Sequence, residues 1–292
     1  MFDLGRLRVL RELRHRGTLA RVAEALAYSP STISQQLSQL EREVGVPLLV
    51  PDGRGVRLTA QAELLVGHVE RILRILDEAE ADIAASLGEV VGEVLLGAFQ
   101  TAAASLLPAA VEALALTHPR LRVLLAQVGA DEAVPALRAR DFDLVVTEDY
   151  PGFATVTPDD LDAVPLTSDE LALVLPDGDR RSLRDLGAAV WVLEPDGSPA
   201  RQWADSVCRS LALVPDVRFV TADLRFQLDL VRRGHAIALL PGLALAGGDG
   251  IARRRLPGRP RRSIHTVTRA GSAQHPAVLA VRAALACSVR PG

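Results

Sequence analysis

The sequence predicts an α+β chain of several domains: an N-terminal winged helix-turn-helix, a long linker helix and a C-terminal two-lobed α/β domain of the periplasmic-binding-protein type. Residues 1–58 contain three short helical patterns and a hairpin signal, and residues 59–88 carry one unbroken helical pattern. Residues 89–292 alternate apolar strands with helices. A chain of 292 residues is long enough for two or three such domains.

Turn and cap residues delimit the elements of the first segment. Gly17 ends the first helix, and Thr18 is suited to cap the second. Ser29 followed by Pro30 is a typical start for the third helix, because proline at the first position loses no hydrogen bond. Two short apolar runs then flank the turn sequence PDGRG. Three helices and a hairpin predict a winged helix-turn-helix over residues 1–58.

The third helix has an apolar stripe and an unusual polar face. Ile33, Leu37, Leu40 and Val44 recur at helical spacing and predict the buried side. The opposite face holds Ser31, Gln35, Ser38 and Arg42. Short hydroxyls allow a helix to approach DNA closely, and glutamine can pair with an adenine edge. An ordinary solvated helix is the alternative, but the absence of carboxylates from its first ten residues favours a DNA-facing surface.

Charge supports the same interpretation of the first segment. Residues 1–58 hold nine Arg and six acidic residues, a mildly basic balance that fits a nucleic-acid-binding head. Arg54 lies at the hairpin tip, where it could enter a minor groove or remain a free surface residue.

The linker helix, residues 59–88, carries an apolar heptad pattern sustained over nearly three heptads. The pattern predicts contact with a partner helix, and packing on its own domain is the alternative. The predicted contact residues are Leu65, Val69, Ile72, Leu76 and Ile83.

The strand–helix alternation after residue 88 predicts two lobes separated by a cleft. Lobe I is expected over residues 89–161 and 268–292, and lobe II over residues 162–267. The Arg-rich stretch 253–262 is either a solvated loop between strands or a second nucleic-acid patch.

Other classes of protein find little support in the sequence. Cys208 and Cys287 are far apart and have no ligand-like spacing, which suits a reducing cytoplasm and predicts neither a disulfide nor a metal site. The sequence has no signal peptide, no apolar run long enough to cross a membrane and no catalytic motif. We therefore expect a cytoplasmic chain that is not an enzyme and uses no cofactor.

Residues 2–65 resemble the N-terminal domain of LysR-type transcriptional regulators. The similar stretches are LRVLRELRHRGTLARVAEALAYSPSTISQQLSQLEREVGVPLLV and GRGVRLTAQAELL. The resemblance implies that double-stranded DNA is a partner and that the chain forms a homodimer or homotetramer through its linker helix. It also implies that a small-molecule effector binds between the lobes.

The resemblance also implies roles for particular residues. In the head, the side chains expected at the DNA are Thr18, Pro30, Ser31, Thr32, Ser34, Gln35 and Arg54. In the cleft, the residues expected at the effector are Gln100, Thr101, Glu148, Ser198 and Thr221, with Asp223 nearby. Simple helix capping is the alternative role of these cleft residues. A ligand carboxylate could bind the helix starts at Thr101 and Ser198, although nearby acidic residues oppose a purely anionic ligand.

A solute-binding protein without DNA function remains the competing hypothesis, because such proteins share the two-lobed architecture. A gel-shift experiment with DNA separates the two.

Overall fold

The computed structural model describes residues 2–53, 55–153, 156–245 and 250–289. The head consists of α1 (Leu4–Arg16), α2 (Leu19–Ala25), α3 (Pro30–Val44) and the antiparallel strands β1 (Leu49–Asp52) and β2 (Gly55–Leu58). This arrangement is the predicted winged helix-turn-helix.

The helix caps predicted for the head are present in the structure. The Thr18 hydroxyl accepts a hydrogen bond from the N–H of Arg21 at 3.3 Å, and the Ser29 hydroxyl accepts one from Thr32 at 3.1 Å. Gly45 ends α3 in the left-handed region, with φ of 80°. The helices close over one apolar core whose members include Leu10, Leu13, Val22, Ile33, Leu37 and Leu40.

The linker helix α4 (Ala60–Ser86) packs one face on the head's own core. Its residues in that core are Ala62, Val66, Val69 and Leu73. The alternative left open by the sequence, packing on its own domain, therefore holds for this face of the helix.

The predicted heptad seam needs correction for this reason. Val69 is 0% exposed and belongs to the head core, so it does not lie on a surface that a partner helix could contact. Leu65 is half-buried against the same core. Ile72, Leu76 and Ile83 are 41%, 39% and 64% exposed, so the apolar face open to a partner is rotated away from Val69.

Lobe I begins with β3 (Gly92–Ala98), α5 (Gln100–Ser105), α6 (Leu107–Thr117), β4 (Leu121–Gln127), α7 (Ala130–Arg138) and β5 (Leu144–Asp149). β3 lies between β4 and β5, parallel to both. The last helix, α10 (Pro276–Ser288), returns to pack with α6 in the lobe I core.

Two long strands connect the lobes. β6 (Leu161–Pro176) runs antiparallel to β11 (Arg261–Arg269), and β11 also pairs with β5. The first half of β6 belongs to the lobe I sheet and its second half to lobe II. The crossing between lobes therefore lies near Ser168, later than the 161/162 boundary expected from the sequence.

Lobe II contains β7 (Val190–Leu193), α8 (Pro199–Ser210), β8 (Asp216–Val220), α9 (Leu224–Arg232), β9 (Ala238–Pro241) and β10 (Ile251–Arg255). β7 and β8 are parallel, whereas β9 and β10 flank β6 in antiparallel pairs. The sheet is mixed rather than largely parallel, because β6 and β11 must pass between the lobes in opposite directions.

The lower part of α4 also packs on lobe I, at a contact that we call the linker junction. Asp77 of α4 pairs there with Arg140 and Arg269, and Gly271 lies directly against the helix backbone. A Cβ atom on Gly271 would lie 2.4 Å from the carbonyl oxygen of Arg74, so only glycine permits this approach.

Candidate functional site

The polar face of α3 is open to solvent, as the sequence predicts. Ser31, Ser34 and Gln35 are exposed, while Ile33 and Leu37 on the other side are buried. The Ser29 hydroxyl lies 2.7 Å from the hydroxyl of Ser31 and 2.8 Å from that of Thr32, which is half-buried. The first turn of α3 therefore presents a cluster of small hydroxyl groups beside the Gln35 amide, and Pro30 there is exposed.

The carboxylates of α3 are held by the head itself. Glu41 accepts hydrogen bonds from the N–H groups of Leu48 and Leu49, at 2.8 and 3.1 Å, and so attaches the hairpin to the helix. Glu43 pairs with Arg6 and accepts from Gln39. The hydrogen bond from Gln39, aided by the charge of Arg6, lowers the pKa of Glu43. Neither acid is left to repel a phosphate at the exposed face.

Two further residues expected at DNA lie on other elements. Thr18 is exposed at the start of α2, and its hydroxyl proton remains available while its oxygen caps the helix. Arg54, expected in the wing, lies outside the described residues.

A cleft of about 720 Å³ separates the lobes. Gln100, Thr101 and Glu148 line it from lobe I, and Ser198 lines it from lobe II, as the sequence predicts. Thr221 is not among its lining residues: its hydroxyl accepts from the N–H of Asp223 at 3.1 Å, which is a local turn. Thr221 therefore orders the turn before α9 and does not line the cleft, so the expectation that it contacts the effector is not supported by its position.

Gln100 connects the lobes across the cleft. Its side-chain amide donates to Asp223 at 3.0 Å and accepts from the N–H of Leu224 at 3.1 Å. Asp223 is itself the cap of α9. A lobe I side chain thus completes the N-terminus of a lobe II helix and helps hold the lobes together.

Arg262 forms the floor of the cleft and was missed by the sequence interpretation. Its side chain is 1% exposed. The guanidinium donates to Asp169 at 2.8 and 3.1 Å, to the Thr101 hydroxyl at 2.7 Å and to Glu148, and it lies 5.2 Å from the Phe99 ring centre. The alternation in RRSIHTVTR could have found it, because Arg262 shares a strand face with the buried Ile264.

The Arg-rich stretch 253–262 is therefore not one solvated loop. Its first residues lie in β10 and its last in β11. Arg254 donates to the carbonyl oxygens of Arg181 and Asp179, and Arg259 pairs with Glu170 at 3.1 Å. These side chains hold loops and strands of lobe II, which leaves the hypothesis of a second nucleic-acid patch without support.

Two cleft carboxyl groups have perturbed acidity. Burial raises the pKa of Glu148 even though Arg262 pairs with it. Burial also raises the pKa of Glu194 to about 7, with further increases from the charges of Glu148 and Asp131 and an opposing hydrogen bond from Ser198. Glu194 was not predicted as a site residue, because its proximity to the other acids depends on the packing of the two lobes.

The two thiols have different surroundings. Cys208 is buried in the lobe II core, where burial raises its pKa to about 11, and Cys287 is exposed on α10. A buried thiol with a raised pKa is a poor nucleophile. Among the residues that the structure describes, no group of three or more His, Cys, Asp or Glu is placed to hold a metal ion.

Comparison with known families decides the identity of the head and the lobes. Residues 4–63 match the family described as "Bacterial regulatory helix-turn-helix protein, lysR family", and residues 87–289 match "LysR substrate binding domain". The chain belongs to the LysR family of transcriptional regulators. It is a DNA-binding regulator with an effector-binding domain, so the competing hypothesis of a solute-binding protein without DNA function is wrong.

Curated relatives agree with this assignment. The HTH-type transcriptional regulator GalR of Pseudomonas putida is 30% identical over 300 residues, covering 98% of this chain and 74% of GalR. The DNA-binding transcriptional dual regulator OxyR of Escherichia coli is 29% identical, covering 92% of this chain and 89% of OxyR. Both relatives are regulators of transcription, as is expected for members of this family.

Solved structures share the fold of this LysR-type chain. A full-length, singly substituted OxyR from Pseudomonas aeruginosa superposes with a TM-score of 0.70 at 19% identity, covering 98% of this chain and 95% of that one. Full-length CbnR complexed with its target DNA superposes with a TM-score of 0.54 at 24% identity, covering 99% and 100%. Throughout the described residues, no helix is long and apolar enough to cross a membrane.

Proposed function

We propose that this LysR-type regulator recognises its operator through the exposed face of α3. We also propose that its binding to DNA changes when an effector occupies the interlobe cleft. The proposal that α3 binds the operator rests on one observation, the separation of the polar and apolar faces of this helix. Ser31, Ser34 and Gln35 are exposed, while the neighbouring carboxylates of Glu41 and Glu43 are occupied within the head. The Gln35 amide can donate to and accept from one base edge, whereas the hydroxyls suit phosphates and close approach.

We further propose a homodimer joined through the exposed apolar face of α4. The face comprises Ile72, Ile75, Leu76 and Ile83, each of which is at least 39% exposed. Several large apolar side chains on one helix face favour burial against a partner, because burying apolar area is the main source of association energy. Two heads held at fixed separation can then bind two half-sites together.

The linker junction supports a route from the cleft to the head. Asp77 joins α4 to Arg140, just after the end of α7, and Asp131 in the first turn of α7 lines the cleft. The buried Arg11 of α1 pairs with Glu70 of α4 at 2.9 Å and donates to the carbonyl oxygen of Arg138. A shift of α7 on effector binding therefore reaches both the linker helix and the first helix of the head.

We propose that the chain acts in the cytoplasm, where bacterial DNA is found. We propose that the cleft binds its ligand without converting it.

The DNA part is tested by gel-shift titration with the DNA upstream of the protein's own gene. Gln35→Ala is expected to weaken specific binding by about 1–3 kcal/mol and to relax base choice at one position. Gln202→Ala, an exposed glutamine change in lobe II, is the matched control and should bind as the parent does. Equal operator affinity in the two variants would show that α3 does not read the DNA.

A further inference from the structure

The interlobe cleft is strongly acidic. Among the described residues that line it, five side chains are carboxylic acids and one is cationic. The acids are Asp131, Glu148, Glu194, Asp196 and Asp223, and the cation is Arg262. A ligand entering this cleft therefore meets an excess of negative charge at neutral pH.

Arg262 is not available to a ligand. Its Nε and Nη2 atoms donate to Asp169, Nη2 also donates to Thr101, and Nη1 donates to Glu148. A guanidinium has five N–H donors, and these contacts use four of them. A ligand carboxylate would have to displace the chain's own carboxylates from a side chain that is 1% exposed. Such a displacement would leave buried acids unpaired, which is strongly unfavourable.

The side chains at the helix starts that suggested a carboxylate ligand already have partners within the chain. Thr101 is buried, and its hydroxyl oxygen accepts from Arg262 at 2.7 Å. Ser198 accepts from the N–H of Arg201 at 3.1 Å, and the next residue is proline, which has no N–H. The N-terminus of α9 is filled by Asp223 and by Gln100 of the other lobe. These intramolecular contacts make the side chains at the helix ends less suited to a ligand carboxylate than the sequence suggested.

Among the described residues, two of these acids, Asp131 and Glu194, form no ion pair, although the charge of Arg262 also acts on Glu194. Asp131 lies in the first turn of α7, and within the described part of the chain its carboxylate has neither an ion pair nor a hydrogen bond. Glu194 follows β7 in lobe II, and Ser198 is its hydrogen-bonding neighbour. The other three acids have partners. Glu148 forms an ion pair with Arg262, Asp196 forms one with Arg201 at 2.7 Å, and Asp223 caps the N-terminus of α9. Asp131 and Glu194 line one cavity from opposite lobes and repel each other.

The cleft is better suited to an organic cation than to a metal ion. A cavity of about 720 Å³ is in the range of small-molecule sites and far larger than a single ion. The carboxylates are too dispersed to form a metal site: the described residues contain no cluster of three or more metal-ligating side chains. Phe99 and Leu224 add apolar surface to the walls, which would contact the carbon skeleton of a ligand.

We propose that the effector is a small organic cation, an amine or guanidinium compound with no compensating carboxylate, whose charged group lies between Asp131 of lobe I and Glu194 of lobe II. This proposal rests on the proposed effector response of the cleft. The cation replaces a repulsion between the lobes with an attraction to both, so its binding draws the lobes together. Because Asp131 lies in the first turn of α7, the same contact pulls on the helix that ends at the linker junction.

The test uses the full-length protein and three probes of equal chain length: cadaverine, pentanediol and glutarate. They differ in charge but little in size, so differences in binding report on the charge preference of the cleft. Isothermal titration calorimetry and thermal shift should detect binding of cadaverine and little of the diol or the dicarboxylate. Affinity for cadaverine should rise between about pH 6 and about pH 8, because Glu194 loses its proton in that range.

Variants that remove charge without changing size locate the contact. Glu194→Gln and Asp131→Asn should each weaken cadaverine binding about tenfold or more, and Glu194→Gln should also remove most of the pH dependence. Glu112→Gln, an exposed change on α6 away from the cleft, is the control and should bind as the parent does.

The contrary outcomes separate this inference from the proposed function. Glutarate binding that depends on cleft residues and alters operator affinity overturns the cation proposal while the ligand-responsive regulator stands. Cadaverine binding that both variants retain places the cation elsewhere and also overturns it. If none of the three probes binds or changes operator affinity, the cation proposal fails, while the operator titration with Gln35→Ala still tests the DNA function by itself.

Discussion

Asp77 of the linker helix accepts two hydrogen bonds from the Arg140 guanidinium of lobe I, with Oδ1 2.8 Å from Nη1 and Oδ2 2.9 Å from Nη2. Asp77 is buried, and Arg269 Nε lies 3.5 Å from the same carboxylate. One side chain of α4 thus pairs with Arg140 and also lies near Arg269, which has a second partner in Asp143 at 3.0 Å. The pairing makes Asp77 the acidic residue through which α4 contacts the arginines of lobe I at the linker junction.

Replacing Asp77 should weaken the junction. Asp77→Ala leaves the half-buried Arg140 without its carboxylate partner, whereas Arg269 keeps Asp143, and we expect a loss of about 2–4 kcal/mol in the free energy of unfolding. Urea unfolding of the parent and the variant measures this loss in the free energy of unfolding. Asp82→Ala, an exposed position on the same helix, should change the free energy by less than about 0.5 kcal/mol. Equal effects of the two changes would mean that the ion pair contributes nothing.

A methyl group at Gly271 should separate the linker helix from lobe I. Its Cβ would lie 2.4 Å from the Arg74 carbonyl oxygen and 2.8 Å from the Asp77 Cβ, so the backbones must move apart. We expect Gly271→Ala to keep operator binding but to lose its dependence on effector, measured by gel shift with and without ligand. Gly187→Ala, whose nearest contact is an ordinary 3.9 Å, is the control. A normal effector response in Gly271→Ala would exclude the junction from the coupling route.

The two faces of α4 should respond differently to a charge. Ile72→Asp places a carboxylate on the exposed face, and we expect a folded monomer in light scattering with weakened operator binding. Val69→Asp places it in the head core, where an unpaired buried charge should unfold the head itself. Circular dichroism distinguishes the outcomes. A dimer that survives Ile72→Asp would show that the subunits meet elsewhere.

Glu194 should make stability depend on pH in a definite direction. Its pKa is about 7 in the folded protein against an ordinary 4.5, so the folded state keeps a proton that the unfolded state has lost. The free energy of unfolding should therefore fall as pH rises from 4.5 to about 7, by on the order of 3 kcal/mol. Glu194→Gln should remove this fall and be more stable than the parent near pH 8. Parallel pH profiles of the two proteins, measured by urea unfolding, would contradict the assigned acidity.

Local sequence determined most of the elements and several positions of the candidate site. The caps at Thr18 and Ser29, the two faces of α3 and the strand–helix alternation of the lobes each depend on a few neighbouring residues, and the structure has them as predicted. Gln100 and Ser198 line the cleft because strand ends and helix starts of an α/β sheet meet at one edge.

Only the tertiary structure decided which side chains share an environment. Val69 fits a heptad as well as Ile72 does, but one is buried in the head and the other is exposed, since helical spacing does not specify which neighbour covers a face. Arg262 looked like part of a solvated basic stretch, yet the crossing strands bury it with Asp169 and Glu148, which are distant in sequence. The charge of the cleft and the acidity of Glu194 arise from such long-range contacts, and local periodicity carries no information about them.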